Sequence, residues 1–270
     1  MSPPVLHSKL WEEEAEADNP FAARACHCSG YDVFGDILQQ ASYLEYLYLL
    51  FRRERPTPAQ ARALEILAIA LANPGPREPS VHAAMAAGIG GAPAAAALMS
   101  ALAVGAGASG GARDVRLAME HWQRCGRSLN TWQADLITPP RPTRQEVWLD
   151  CGHPPGFAPY EQHSALPTRQ TLSALADAAP GGACAWLAEN SARLEGITGR
   201  ALAMTGVAAA ALIDLGFLPE EGEMLALLLR LPGAAAHALE QADLGFRHFP
   251  FPAIAIENDP GPASAQGVAP

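Results

Sequence analysis

The feature that most constrains this chain is a succession of apolar stretches at helical spacing, each cut off by proline or glycine. Residues 34–52 (FGDILQQASYLEYLYLLFR) carry aromatic and aliphatic side chains at that spacing and stop before the Pro56–Thr57–Pro58 break. Residues 59–72 (AQARALEILAIALA) repeat the pattern up to Asn73–Pro74–Gly75–Pro76. A short helix over 80–88 ends at Gly90–Gly91, and Pro93 opens another that runs to about residue 107. Further helical segments cover 114–125, 171–179, 183–194, 201–215 and 220–239. Residues 138–168 are rich in proline and glycine and read as a long loop. No stretch shows the alternation of a strand laid on a core, and no internal repeat occurs. Alanine and leucine dominate while β-branched residues are sparse, so the intrinsic preference is helical and the expected fold is all-α.

Charge narrows the function classes. The net charge is −10 at a pI near 5.2, opposite to what a general nucleic-acid binder needs. Lys9 is the sole lysine, so an anionic ligand must be met by arginine forks, helix N-termini or histidines. Residues 85–112 carry no charge, but they are built from alanine and glycine and interrupted by GIGGAP. A small-residue helix packed closely on a neighbour is expected there, not a membrane span. The first 20 residues are acidic and lack the apolar core of a secretory signal, which points to a cytoplasmic protein. Residues 1–19 and 258–270 read as disordered tails. Five scattered cysteines do not suggest a disulfide framework.

Four stretches, in order, resemble the citrate synthase family, and most of all its short citryl-CoA lyase-like branch. The first begins GYDVFGDILQQASYLEYLYLLF and continues through PTPAQARALEILAIALANPG, like the family's opening helices and the ligand loop after them. The second, ALAVGAGASGGARDVRLAMEHW, is similar to the central helix and its Leu-His-Gly-Gly turn. The third, PPGFAPYEQHSALPTRQTLSALA, is similar to the Pro-Gly-Phe-Gly-His loop. The fourth, TGVAAAALIDLGFLPEEGEMLALLLRLPGAAAHALEQ, resembles the last long helices. The resemblance spans about residues 30–250. It implies a large helical domain from 20–111 and 205–257, a smaller inserted domain from 112–204, and a ligand cleft between them. It also implies a dimer packed through the helix at 93–107, as a homodimer or as a heterodimer with an active paralogue. CoA thioesters and oxo acids are the implied ligands, with no required cofactor.

Carried over residue by residue, the resemblance breaks down at the chemical positions. The ligand loop reads Asn73–Pro74–Gly75 where the family has Asp-His-Gly. The Leu-His-Gly-Gly turn reads Ala108–Ser109–Gly110–Gly111, so Ser109 stands for a histidine. The next loop reads Gly156–Phe157–Ala158–Pro159, with Pro159 for another. Thr205–Gly206 stands where an Asp-Gly supplies the base. Proline offers neither donor nor base, and a threonine alcohol is no base near neutral pH. Loss of one oxyanion donor costs ~10²–10³ in rate, and general acid–base help is commonly ~10²–10⁴. The ordinary citrate synthase reaction should be nearly absent. Arg230 and Arg169 remain as candidate carboxylate holders, and Ser109, His163 and Thr205 are the candidate catalytic positions.

Other constellations carry less. Cys26–His27–Cys28 with Cys151–Gly152–His153 offers four zinc ligands, but C-x-C is tighter than the usual structural pair, so no metal is expected. Asp150 to His153 could form a thiol site, although residues two apart on a loop seldom face each other. His82 and His237 read as structural. Two functions stay open: an enzyme making or breaking a carbon–carbon bond in an acyl-CoA with a substituted residue set, or a non-catalytic binding, regulatory or scaffolding subunit.

Overall fold

The computed structural model describes residues 7–138 and 152–252. The tail expected over 258–270 and residues 139–151 of the expected loop over 138–168 lie outside them. Among the described residues are eleven α-helices and one small sheet, so the fold is all-α in class.

The sheet was not foreseen. It joins strands β1 (Trp11–Ala15), β2 (Ala23–Cys28) and β3 (Tyr31–Asp32) in that order, antiparallel throughout. The acidic segment expected to be a plain tail therefore supplies an edge strand, with Trp11 opposite Cys28 and Glu14 opposite Ala25. Both faces of β1 are largely solvated. No apolar alternation is needed there, and backbone pairing with β2 decides the conformation.

A π-helical turn at Val33–Ile37 runs into the single turn α1 (Leu38–Gln40). The helix expected over 34–52 breaks at Ala41, whose backbone is extended, because Ser42 starts α2 (Tyr43–Arg52) as its cap. The Ser42 hydroxyl accepts from the Glu45 amide at 3.2 Å, and the Glu45 carboxylate accepts from the Ser42 amide at 2.7 Å. Thr57 and Gln60 make the same reciprocal pair at α3 (Pro58–Ala72), with Pro58 in its first turn.

Then come α4 (Pro79–Ile89), α5 (Ala94–Gly105), α6 (Ala112–Cys125) and α7 (Leu129–Ile137), followed by α8 (Leu166–Ala178) and α9 (Ala183–Thr198). The last two are α10 (Met204–Asp214) and α11 (Pro219–Leu244). The apolar spacing left α7 unassigned, and α8 begins earlier than expected. Helix α11 continues through Pro232 past the expected end at 239.

Helix α10 is the centre of the molecule. Thr205 through Leu212 are all buried, as a helix apolar on every side must be. Around it one core gathers Leu64 and Leu67 of α3, Met119 of α6, Leu187 and Leu194 of α9, and Leu225 of α11. A second cluster of Val81, Ala84, Ala97, Ala101, Ala234 and Ala238 joins α4, α5 and α11. Its small side chains bring backbones close: a Cβ on Gly88 would lie 2.5 Å from the Ala238 carbonyl oxygen. This is the close packing expected of the uncharged stretch. No helix among the described residues is long and apolar enough to cross a membrane.

Candidate ligand site

The loop after α3 is held by its own asparagine. Asn73 Oδ1 accepts from the Gly75 amide at 3.1 Å and lies 3.1 Å from His237 Nε2 on α11. His237 Nδ1 lies 3.0 Å from Glu240, so this histidine ties the loop to the helix. Gly233 makes the approach possible, since a Cβ there would fall 2.4 Å from the Ala72 carbonyl oxygen. Pro74 itself is exposed at the loop surface.

Arg230, one turn before on α11, links three segments. It donates to the carboxylate of Glu78 and, at 3.3 Å, to the carbonyl of Gly110. Its side chain is 12% exposed. Glu78 caps α4 with its other oxygen, accepting from the amides of Ser80 at 2.9 Å and Val81 at 3.1 Å. Arg230 is thus already neutralised by an acidic residue that the sequence reading passed over. A ligand carboxylate must displace Glu78 or share the guanidinium with it. Ser109 lies exposed in the turn that Arg230 grips, beside Gly110 at φ +72°.

Thr205 is 8% exposed and its hydroxyl donates to Asp114 Oδ2 at 2.6 Å. Asp114, in the first turn of α6, is 1% exposed, and its Oδ1 accepts from the Gly156 amide at 3.0 Å. Burial raises its carboxyl above the usual 3.8, while the two hydrogen bonds and the charge of His153 pull the other way. Gly156 packs backbone to backbone on Gly206, where a Cβ on Gly206 would sit 2.4 Å from the Gly156 carbonyl oxygen. Asp114 is a sealed strut that fastens the Pro-Gly-Phe loop to α10. With both oxygens engaged and no solvent access, it is not placed to abstract a proton from a ligand. Pro159, half-buried farther along that loop, offers its carbonyl to Arg200.

His163 and Arg169 are brought together. Both line a cavity of about 160 Å³ with Ser164, Thr168 and Glu195. Ser164 donates to Glu195 and, at 3.0 Å, to the Leu202 carbonyl. Ser109, Arg230 and Thr205 do not line this cavity. His82 packs tilted against Phe249 with ring centroids 5.2 Å apart.

The zinc grouping weighed from sequence lies only partly among the described residues. Cys26 and Cys28 alternate with His27 along β2, so His27 points to the opposite face. Cys28 is fully buried in a small cluster with Val33, Ile37 and Leu49. Asp150 and Cys151 lie outside the described residues. His153 is buried, with Nδ1 3.2 Å from the Pro154 carbonyl.

The sequence reading missed Asp114 and a second cluster, His121, Cys125 and Asp135. The available signal was position: Asp114, His121 and Cys125 share the stripe of α6 that carries Ala118 and Trp122 into the core. Burial holds the His121 imidazole down at about 4 against the pull of Asp135, and pushes the Cys125 thiol up to about 11.

The helical architecture and these loops define the citrate-synthase-like class of fold, as found in citryl-CoA lyases. Citryl-CoA lyase from Hydrogenobacter thermophilus superposes with a TM-score of 0.69 at 19% identity, over 90% of this chain and 89% of that one. ATP citrate lyase from Methanothrix soehngenii, solved with citrate and coenzyme A, gives 0.68 at 18% identity over 96% of this chain and 43% of that one. A mutant ATP citrate lyase from Methanosaeta concilii, solved with (3S)-citryl-CoA, gives 0.69 at 16% identity, over 92% and 41%. The chain thus spans less than half of either ATP citrate lyase. No protein-family model matches the sequence, and the comparison with curated proteins finds no match either.

Proposed function

We propose that this protein is a non-catalytic relative within the citryl-CoA lyase fold, a binding, regulatory or scaffolding subunit. It holds a CoA thioester or small carboxylate without making or breaking the carbon–carbon bond. The observation that carries this reading is the engagement of the inherited positions by the protein's own groups. Thr205, at the base position, is buried under Asp114, and Arg230 is paired with Glu78. Pro74 and Pro159 supply no donor. The ligands in the solved relatives, citrate, coenzyme A and citryl-CoA, are the first to try.

One observation favours a second reading, an acyl-CoA enzyme with relocated chemistry: the cavity that gathers His163, Arg169 and Glu195. One experiment separates the two. The purified protein is incubated with citryl-CoA, and with pairs of acyl-CoA and 2-oxo acid, while thiol release is followed and binding is measured by calorimetry. Binding without turnover is expected. Turnover that survives purification and vanishes in Arg169→Ala would establish the enzyme.

The same reading includes assembly and closure. A second copy or an intact relative docks along α5, where Met99 is 64% exposed. Residues 112–204 close over the ligand against 20–111 and 205–257. Sedimentation at micromolar concentration should give a dimer, and a ligand-dependent fall in the radius of gyration would report closure.

A further inference from the structure

The cluster on α6 and α7 has a composition that the ligand-site reading does not use. His121 and Cys125 lie four residues apart, so both project from one face of α6. Asp135 of α7 faces them. One ligand atom from each of the three side chains lies within 4.8 Å of the other two. His121 Nε2 is 3.2 Å from Asp135 Oδ2, the spacing of two ligands around a tetrahedral ion, for which roughly 3.3–3.6 Å follows from ordinary zinc bond lengths. That nitrogen is buried and makes no hydrogen bond among the described residues, and its residue is only 2% exposed. Its contact with the Asp135 carboxylate lacks hydrogen-bond geometry, and a buried polar atom so poorly paired is costly in a finished core. A ligand at this point would remove that cost.

We propose that His121, Cys125 and Asp135 form a zinc site on α6 and α7, with water as the fourth ligand. The residue types fit zinc: imidazole nitrogen, thiolate sulfur and carboxylate oxygen are its common protein ligands. Binding exchanges the Cys125 thiol proton for the metal, and that proton leaves to solvent. Thiolate and carboxylate then balance the two charges of the ion. A surface cavity of about 420 Å³ adjoins the cluster, lined by Asp135 with Thr131, Ala134, Ile137 and Thr138. Arg124 contacts Asp135 at 3.0 Å and lies 42% exposed, so it stays as an outer partner that orients the carboxylate. Trp132 stacks on His121 with centroids 4.3 Å apart, which fixes the ring and places a fluorophore beside the ion.

The full chain, stripped with chelator and dialysed, is titrated with Zn²⁺ alone and then with Co²⁺. One zinc per chain is expected, together with a thiolate-to-cobalt charge-transfer band and quenching of tryptophan emission by Co²⁺. Asp135→Asn should weaken zinc by more than about tenfold, the least expected from loss of even an outer partner. Cys125→Ala should abolish the cobalt band, and Cys26→Ser should change neither readout. Should Cys125→Ala fail to fold, the cobalt spectrum of the unaltered chain and the Asp135→Asn affinity decide. Absence of zinc uptake overturns the site, as does uptake without a thiolate band or with unchanged affinity in Asp135→Asn.

Discussion

At the scale of single residues, Asp114 is the buried carboxylate that ties the Pro-Gly-Phe loop to α10. Asp114 satisfies the Gly156 amide and the Thr205 hydroxyl while sealed from water. Truncating it strands two buried donors, so Asp114→Ala should lose on the order of 2–4 kcal/mol in urea unfolding. Its protonation has a definite sign. Because the folded carboxyl lies above its usual 3.8, the native state holds the proton more tightly than the unfolded state. Its contribution to stability is greatest at low pH and falls as pH rises from about 3.8 to the folded value. Asp114→Asn removes that dependence. On acidification through this window the unaltered protein should gain stability relative to the variant, and unfolding midpoints of both proteins across a pH series would measure it. An acid placed at position 205 should not confer proton abstraction. Thr205→Asp would set a second carboxylate against Asp114, and like charges in so dry a place destabilise. The expected outcome is a lowered melting temperature with no thiol release from citryl-CoA.

At the scale of elements, helix ends and glycine contacts set the loops that face the site. The Ser42–Glu45 capping box ends the unwound segment after β3 and starts α2. Ser42→Ala should cost about 1 kcal/mol, visible as a shifted urea midpoint without a change in slope. Asp214, at the end of α10, accepts from the amide of Cys184 at 2.9 Å and also from that of Ala183, so it closes the N-terminus of α9 from outside. Gly233 shows the opposite device, an absent side chain. Gly233→Ala must push α11 away from Ala72 and Asn73, with an expected loss of about 1–3 kcal/mol and a weaker grip of His237 on the loop. A melting curve checks the first effect. The second would appear as faster amide exchange at Gly75.

At the scale of the whole molecule, apolar periodicity was enough to read a helical protein with a helix over 201–215, because a 3.6-residue period and proline or glycine stops are local properties. The wording of the turns around Gly111, Gly156 and Gly206 was legible too, since backbone that close to backbone admits only glycine. The small sheet was not, because solvent on both faces of β1 leaves no alternation to read. Helix α7 escaped because only Trp132 is buried along it. Among the site residues, the sequence and its resemblance to the citrate synthase family raised the expectation that Ser109, Pro74 and Pro159 stand at histidine positions and Thr205 at a base position. Only the tertiary structure decided how the remaining ones are engaged. It set Glu78 against Arg230 across 152 residues and Asp114 against Thr205 across 91. It also turned His121 and Cys125 toward Asp135. The physical reason is that spacing along a helix fixes which residues share a face, while the partner on that face comes from another element, whose approach depends on the packing of the entire core.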